Sequence, residues 1–213
     1  MRNKNDFIKF MQDAGVLTFG DFTTKSGRKT PYFVNTGNFK TGQHISTLGD
    51  YYADSVVASG EKFDAIYGPA YKGITLAAAT ASSLYRNHDA NKPYFFNRKK
   101  VKDHGEGGSL IGYKPKDGDR IIIIEDVVTA GTAVRESLQL LKAVADVTVT
   151  ALFVSVDRME KGTGEKSTLN ELKHEFGINV YAIINAKDII ASFPPNDERI
   201  AKIEEYLKVY GGV

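Results

Sequence analysis

Ile121-Ile-Ile-Ile-Glu-Asp-Val-Val-Thr-Ala-Gly-Thr-Ala133 runs from a β-branched stretch through two adjacent acids into a turn of small residues. Four consecutive isoleucines after Arg120 fit a central parallel strand, apolar on both faces because helices cover both. In open α/β sheets ligands sit at the carboxyl ends of the strands, and this strand delivers Glu125 and Asp126 there. Two neighbouring carboxylates can accept hydrogen bonds from a pair of vicinal hydroxyls, such as those of a sugar. In Thr129-Ala-Gly-Thr-Ala133 the small side chains let an anion approach backbone N–H groups, and the threonines add hydroxyl donors. The helix that follows contributes free amides and the positive end of its dipole. The plain alternative is a strand-to-helix junction with a threonine cap, but acids, turn and strand in direct succession weigh against it. The segment is neither a Walker loop nor a Gly-x-Gly-x-x-Gly dinucleotide turn.

Outward from this run, short apolar stretches alternate with helical patterns. Phe63-Asp-Ala-Ile-Tyr67 ends at Gly68-Pro69 as a buried strand would. Ile74 to Arg86 reads as a helix, with Ile74, Ala77, Ala78, Ala81 and Leu84 on one stripe. Tyr94–Asn97, Thr148–Val156 and Val180–Asn185 read as further strands, and Val134, Leu138, Leu141 and Val144 mark a helix after the acidic pair. This alternation predicts an α/β fold with a mainly parallel central sheet flanked by helices. Thr47 to Ser59 is helical in pattern, and Asp197 to Tyr210 places Ile200, Ile203, Leu207 and Tyr210 on one face. Residues up to about 45, where turn residues mix with aromatics, read as a small N-terminal hood over a core from about 46. With no repeat or low-complexity linker, a single domain over 1–213 is expected.

Composition narrows the chemistry. The 213 residues are 42% hydrophobic and 25% charged, enough for one sizeable core. A formal net charge of +2 gives no global reason to expect nucleic acid. The absence of cysteine excludes disulfides, thiolate catalysis and zinc–thiolate sites. The N-terminus lacks the apolar core of a signal peptide, and no window approaches the roughly 18 apolar residues of a membrane span. A cytoplasmic protein with no membrane partner is the expectation.

Four more segments bear on function. Tyr67-Gly-Pro-Ala-Tyr-Lys-Gly-Ile74 is a sharp turn after a strand, able to present amides and the Lys72 ammonium to a pyrophosphate; it could equally be a simple connection with an exposed lysine. Phe96-Asn-Arg-Lys-Lys-Val-Lys-Asp-His-Gly-Glu-Gly-Gly108 concentrates cations and glycines, as a closing lid would, although such runs are often solvated loops. Phe19 to Asn35 interleaves aromatics with Lys25, Ser26 and Gly27, and by itself fits a hairpin packing its own small core. Val154-Ser-Val-Asp-Arg158 ends a strand at the same sheet edge, so that Arg158 faces the crevice. A guanidinium there suits a planar carboxylate; the alternative is a salt bridge to Asp157 or Glu160.

In this order and spacing, from about Phe7 to Asp188, the segments resemble the type I phosphoribosyltransferases, and among them the orotate phosphoribosyltransferases. The resemblance implies transfer of the phosphoribosyl group of phosphoribosyl pyrophosphate (PRPP) to orotate, giving orotidine 5'-monophosphate and pyrophosphate. Glu125 and Asp126 would hold the ribose hydroxyls, and Val127, Val128, Thr129, Ala130, Gly131, Thr132 and Ala133 the 5-phosphate. Lys25, Tyr71, Lys72, Arg98, Lys99, Lys102 and His104 would also contact PRPP, with Lys102 and Asp126 the catalytic residues. Phe33, Val34, Thr129 and Arg158 would bind orotate. The chain departs from the family pattern at Glu125, usually Asp, and at Val34, usually the second of two Phe. Mg²⁺ is implied, bound mainly through PRPP and water with no protein cage. A homodimer is implied too, with the Arg98–Gly108 loop reaching the partner's site. Uracil should be a poor substrate, because without a carboxylate the buried Arg158 would be left unpaired. A purine or uracil salvage transferase would not need Arg158, and a PRPP-sensing regulator would normally add a nucleic-acid-binding segment.

Overall fold

The isoleucine run forms the middle of the sheet. Strand β6 (Arg120–Ile124) lies between β3 (Ala65–Gly68) and β7 (Thr148–Asp157), parallel to both. All four isoleucines are buried: Ile121 and Ile123 pack into one apolar cluster, Ile122 and Ile124 into the other. This is the period of two expected of a strand covered on both faces. The computed structural model describes residues 2–24, 27–102 and 108–212, apart from the side chains of 100–102. Beyond β3 come β4 (Tyr94–Lys102), parallel, and the antiparallel edge strand β5 (Gly108–Gly112); β8 (Asn179–Asn185) closes the other edge. The order is β5-β4-β3-β6-β7-β8.

That order contains one reversal. From β3 the chain passes through helix α3 (Lys72–His88) to β4 on one side. From β6 it passes through α4 (Thr132–Val144) to β7 on the other. Helices on either side of such a switch point diverge and leave a crevice above the strand ends. Here the crevice lies above the ends of β3 and β6, where Gly68–Lys72 and Glu125–Gly131 emerge.

The hood is a hairpin of β1 (Leu17–Thr23) and β2 (Lys29–Val34), preceded by helix α1 (Lys4–Asp13). Phe7 of α1 lies 4.6 Å from Tyr51 of α2 (Gly42–Ser59), and Leu17 and Tyr32 of the hairpin join the cluster that holds Ile122. The hood is therefore seated on the apolar core. Helices α5 (Thr168–Phe176), α6 (Ala186–Ala191) and α7 (Glu198–Tyr210) complete the chain.

Several elements differ from the sequence expectation. The strand beginning at Tyr94 continues through Arg98 and Lys99 to Lys102, so the first part of the expected lid is strand, and Lys102 pairs with Gly108 beyond an irregularity that follows Asn97. Strand β5 and helices α1, α5 and α6 were not anticipated, because their short mixed sequences carry no long apolar period. Val144, expected on the buried stripe of α4, is 44% exposed because the helix ends there. On α7 the deeply buried residues are Ile203 and Tyr206, with Ile200 at the margin.

Gly68 shows how tightly strand and site are joined. A Cβ at this position would lie 2.0 Å from the carbonyl oxygen of Gly73 and 2.7 Å from Ala77 Cβ. Overpacking of this kind costs about 1–3 kcal/mol. Gly68→Ala is therefore expected to lower the melting temperature and to impair catalysis by displacing the turn to Lys72. An unchanged melting curve would refute this packing.

Candidate active site

The two acids at the end of β6 sit in different environments. Glu125 is buried and its Oε1 accepts the Asp126 backbone N–H at 3.0 Å. Asp126 Oδ2 accepts from Lys72 Nζ at 2.7 Å and from the Thr36 hydroxyl at 2.5 Å, and Lys72 Nζ lies 2.9 Å from that hydroxyl. This triangle joins three parts of the chain: the hood at Thr36, the turn after β3 at Lys72, and the end of β6. The backbone beneath is pinned as well. Tyr52, fully buried, donates its hydroxyl to the Glu125 carbonyl at 2.7 Å, and Ser155 donates to the Asp126 carbonyl at 2.7 Å.

Lys72 begins α3, and the Ala70–Tyr71 peptide before it is cis. The Ala70 N–H donates to Asn97 Oδ1 at 2.8 Å, and the Tyr67 hydroxyl donates to the same oxygen at 3.0 Å. Asn97 thus holds the turn from the neighbouring strand. Tyr71 itself is 73% exposed. Beyond Asp126, Gly131 takes a φ of 76° and caps α4 without any side-chain cap bond, which leaves the first helical amides open to an anion. The Thr168 hydroxyl anchors the same turn by donating to the Thr129 carbonyl at 2.6 Å. A cavity of about 220 Å³ runs between these loops, lined by Pro69–Lys72, Glu125–Val128, Gly131, Ala133 and Val134.

A larger cavity, about 640 Å³, opens between hood and sheet. Phe33, Val34, Thr129 and Arg158 all line it, together with Lys72, Asp126, Val127 and Ala130. Arg158 is buried, stacked 4.3 Å over the Tyr32 ring, and bonded through Nε to Glu160 at 2.7 Å and through Nη2 to Thr30 at 3.0 Å. This corrects the argument made from sequence. Without a ligand carboxylate the guanidinium is not left unpaired, so rejection of uracil cannot rest on an orphaned Arg158 alone.

Of the remaining predicted residues, Arg98 and Lys99 lie on β4, with Arg98 Nε buried and unpartnered. Lys25 and His104 lie outside the described residues, as does the side chain of Lys102. Thr36, Tyr52, Asn97, Ser155 and Thr168 were missed. Each acts by a hydrogen bond across at least 27 positions of sequence; Asn97 and Ser155 lie within segments singled out for their cations, and nothing local marks any of the five.

Burial pushes the Glu125 carboxyl up, to about 8, with the nearby Asp126 charge adding to the effect. Burial also raises Asp126, but hydrogen bonds from Lys72 and Thr36 outweigh it and leave this carboxyl below the usual range. A carboxyl raised by folding binds its proton more tightly in the native state. Its contribution to stability is therefore full below the ordinary glutamate pKa and is lost as the pH rises through about 8. Glu125→Gln is expected to flatten the decline of stability between about pH 5 and pH 8, read from denaturation midpoints. Parallel pH profiles for the two proteins would contradict this.

Comparison with known proteins bears on the whole arrangement. Residues 35–180 match the phosphoribosyl transferase domain family. The chain is 47% identical to the orotate phosphoribosyltransferase of Clostridium beijerinckii and 49% identical to that of Lachnoclostridium phytofermentans, covering 98% of this chain and 97% of each relative. Among solved structures, the orotate phosphoribosyltransferase of Francisella tularensis superposes with a TM-score of 0.88 at 38% identity, over 97% of this chain and 100% of that one. With the acid pair, the phosphate turn and the cavity that joins them, these likenesses show that the chain belongs to the orotate phosphoribosyltransferase family of type I phosphoribosyltransferases.

Proposed function

We propose that the two cavities divide the reaction, the loop cavity taking PRPP and the hood cavity taking orotate, with ribose C1 where they meet at Asp126. One observation carries this reading. Phe33, Val34, Thr129 and Arg158, scattered over more than a hundred positions, line a single cavity with Lys72 and Asp126. The reaction forms orotidine 5'-monophosphate and pyrophosphate, a step in pyrimidine biosynthesis.

In this reading the open amides at Gly131–Ala133 and the Thr129 and Thr132 hydroxyls bind the 5-phosphate. Glu125 and Asp126 accept bonds from the ribose hydroxyls. Lys72 is spent on Asp126 in the absence of substrate. When the diphosphate arrives, a denser negative charge competes for that ammonium, and Asp126 is released to the ribose. Orotate approaches C1 from the face opposite the diphosphate, and cleavage runs ahead of bond formation. Lys72, Lys99, Lys102 and His104 then neutralise charge on the leaving group, the kind of term that usually dominates such catalysis. Mg²⁺, when bound with PRPP, would supply further neutralisation of the diphosphate charge; Glu125 and Asp126 are the hard oxygen donors that would face such a cation. Orotate N1 is already acidic, so no general base is required.

We also propose that the enzyme works as a homodimer in which the Arg98–Gly108 segment completes the partner's site. The antiparallel pairing of β4 with β5 supports this, since it gives the segment a stiff two-stranded base from which to project.

The direct test is loss of orotate absorbance on addition of PRPP and Mg²⁺. Turnover is expected with orotate, and its absence would overturn the assignment. For the shared site, Lys102→Ala and Arg158→Ala homodimers are each expected to lose nearly all activity, while mixed dimers regain about one working site in two. No recovery, with subunit exchange confirmed, would place the lid over its own chain.

A further inference from the structure

A carboxylate stands in the wall of a pocket that has to receive a carboxylate. Glu160 lines the hood cavity, and its Oε1 accepts from Arg158 Nε at 2.7 Å and from the Tyr206 hydroxyl at 2.7 Å. Its other oxygen, Oε2, lies 4.0 Å from Nη1 of Arg28, which lines the same cavity. Among the described residues, the charged ones that line it are Arg28, Lys72, Arg158, Lys161, Asp126 and Glu160. Lys72 is paired with Asp126, and Lys161 with Glu165. Arg28 and Arg158 are left to share Glu160, so among the described residues this wall carries one positive charge in excess.

The two arginines are not equally committed. Nε and Nη2 of Arg158 are bonded to Glu160 and Thr30, and the Tyr206 hydroxyl also interacts with this side chain, so its donors are largely committed. The guanidinium of Arg28 makes no hydrogen bond among the described residues, and its ion pair is loose. It is nevertheless held in place, lying 5.4 Å over the ring of Tyr210 at the end of α7. That end is pinned to the pocket wall, with Lys161 N donating to the Tyr210 carbonyl at 2.8 Å and Gly212 N to the Met159 carbonyl at 2.9 Å. A planar carboxylate has two oxygens and favours two charge-assisted donors. Arg158 in its present bonding offers at most one nitrogen, so a second donor must come from elsewhere. Arg28 and Tyr210 also fall outside residues 35–180, the part matched by the general phosphoribosyl transferase domain.

We propose that Arg28 is a specificity-determining residue, a second cation for the carboxylate of the acceptor base, set in place by Glu160 and by Tyr210 of the C-terminal helix. This rests on the reading that the hood cavity takes orotate. Glu160 then has a definite use. It draws the two guanidinium groups to one spot and offsets their mutual repulsion until the ligand arrives.

The test compares the wild-type enzyme with Arg28→Gln and Arg28→Lys, measuring KM for orotate and for PRPP, kcat/KM for uracil, and the melting temperature. Failure of the wild-type enzyme to use orotate would remove the underlying reading itself. Given wild-type turnover, Arg28→Gln is expected to raise the orotate KM by about tenfold or more, while PRPP KM and uracil kcat/KM stay within about twofold. Arg28→Lys, keeping the charge without the fork, is expected to fall between. A merely structural arginine would lower orotate and uracil turnover together and shift the melting temperature. That outcome, or a wild-type orotate KM in both variants, overturns the proposal.

Discussion

Lys72 and Asp126 meet at 2.7 Å across the gap between two parallel strands, and the Thr36 hydroxyl closes the contact from the hood. The gap exists because the sheet reverses its winding between β3 and β6. The ion pair bridges what the topology leaves open. It holds a lysine against an acid at the point where the two cavities meet, and through Thr36 it ties both to the segment that follows the hood hairpin. Tyr52, Ser155 and Asn97 matter because they fix the backbone on which these charges stand.

The same junction separates two kinds of recognition. Below it, open amides and small residues offer shape and partial charge, which suit phosphate groups whatever the base. Above it, the hood, the end of β7 and α7 supply the aromatic and guanidinium groups that line the larger cavity. Arg158 stacked on Tyr32, and Arg28 over Tyr210, are parallel constructions, each a cation supported by a ring and joined through one carboxylate. Phe33 and Val34 lie outside the residues matched by the domain family, while Thr129 and Arg158 lie within them, so the larger cavity draws on both the shared core and the hood.

Much of this was legible in the sequence where one short segment carries its own function. The four isoleucines, the acid pair and the Thr-Ala-Gly-Thr turn are contiguous, so strand, ligand position and helix start could be read together. Arg158 was found because it ends a strand. Its partner Glu160 was named as the rival reading, and the structure shows that pairing and pocket lining coexist. What escaped were contacts made between distant segments. Thr36 and Asp126 are 90 positions apart, and Tyr206 and Glu160 are 46 apart; neither hydroxyl has a local pattern around it. Strand β5 escaped for a related reason, since Gly108–Gly112 is defined by its pairing with β4 rather than by apolar alternation.

The central claim is that donor and acceptor occupy separate cavities meeting at Asp126. A crystal structure of the enzyme with orotate and a non-reactive PRPP analogue tests it most directly. The account predicts the 5-phosphate on the amides of residues 129–133, the ribose hydroxyls on Glu125 and Asp126 with Lys72 drawn to the diphosphate, and the pyrimidine beside Phe33 with its carboxylate at Arg158. A base seated elsewhere, or a Lys72–Asp126 pair still intact beneath bound PRPP, would contradict it.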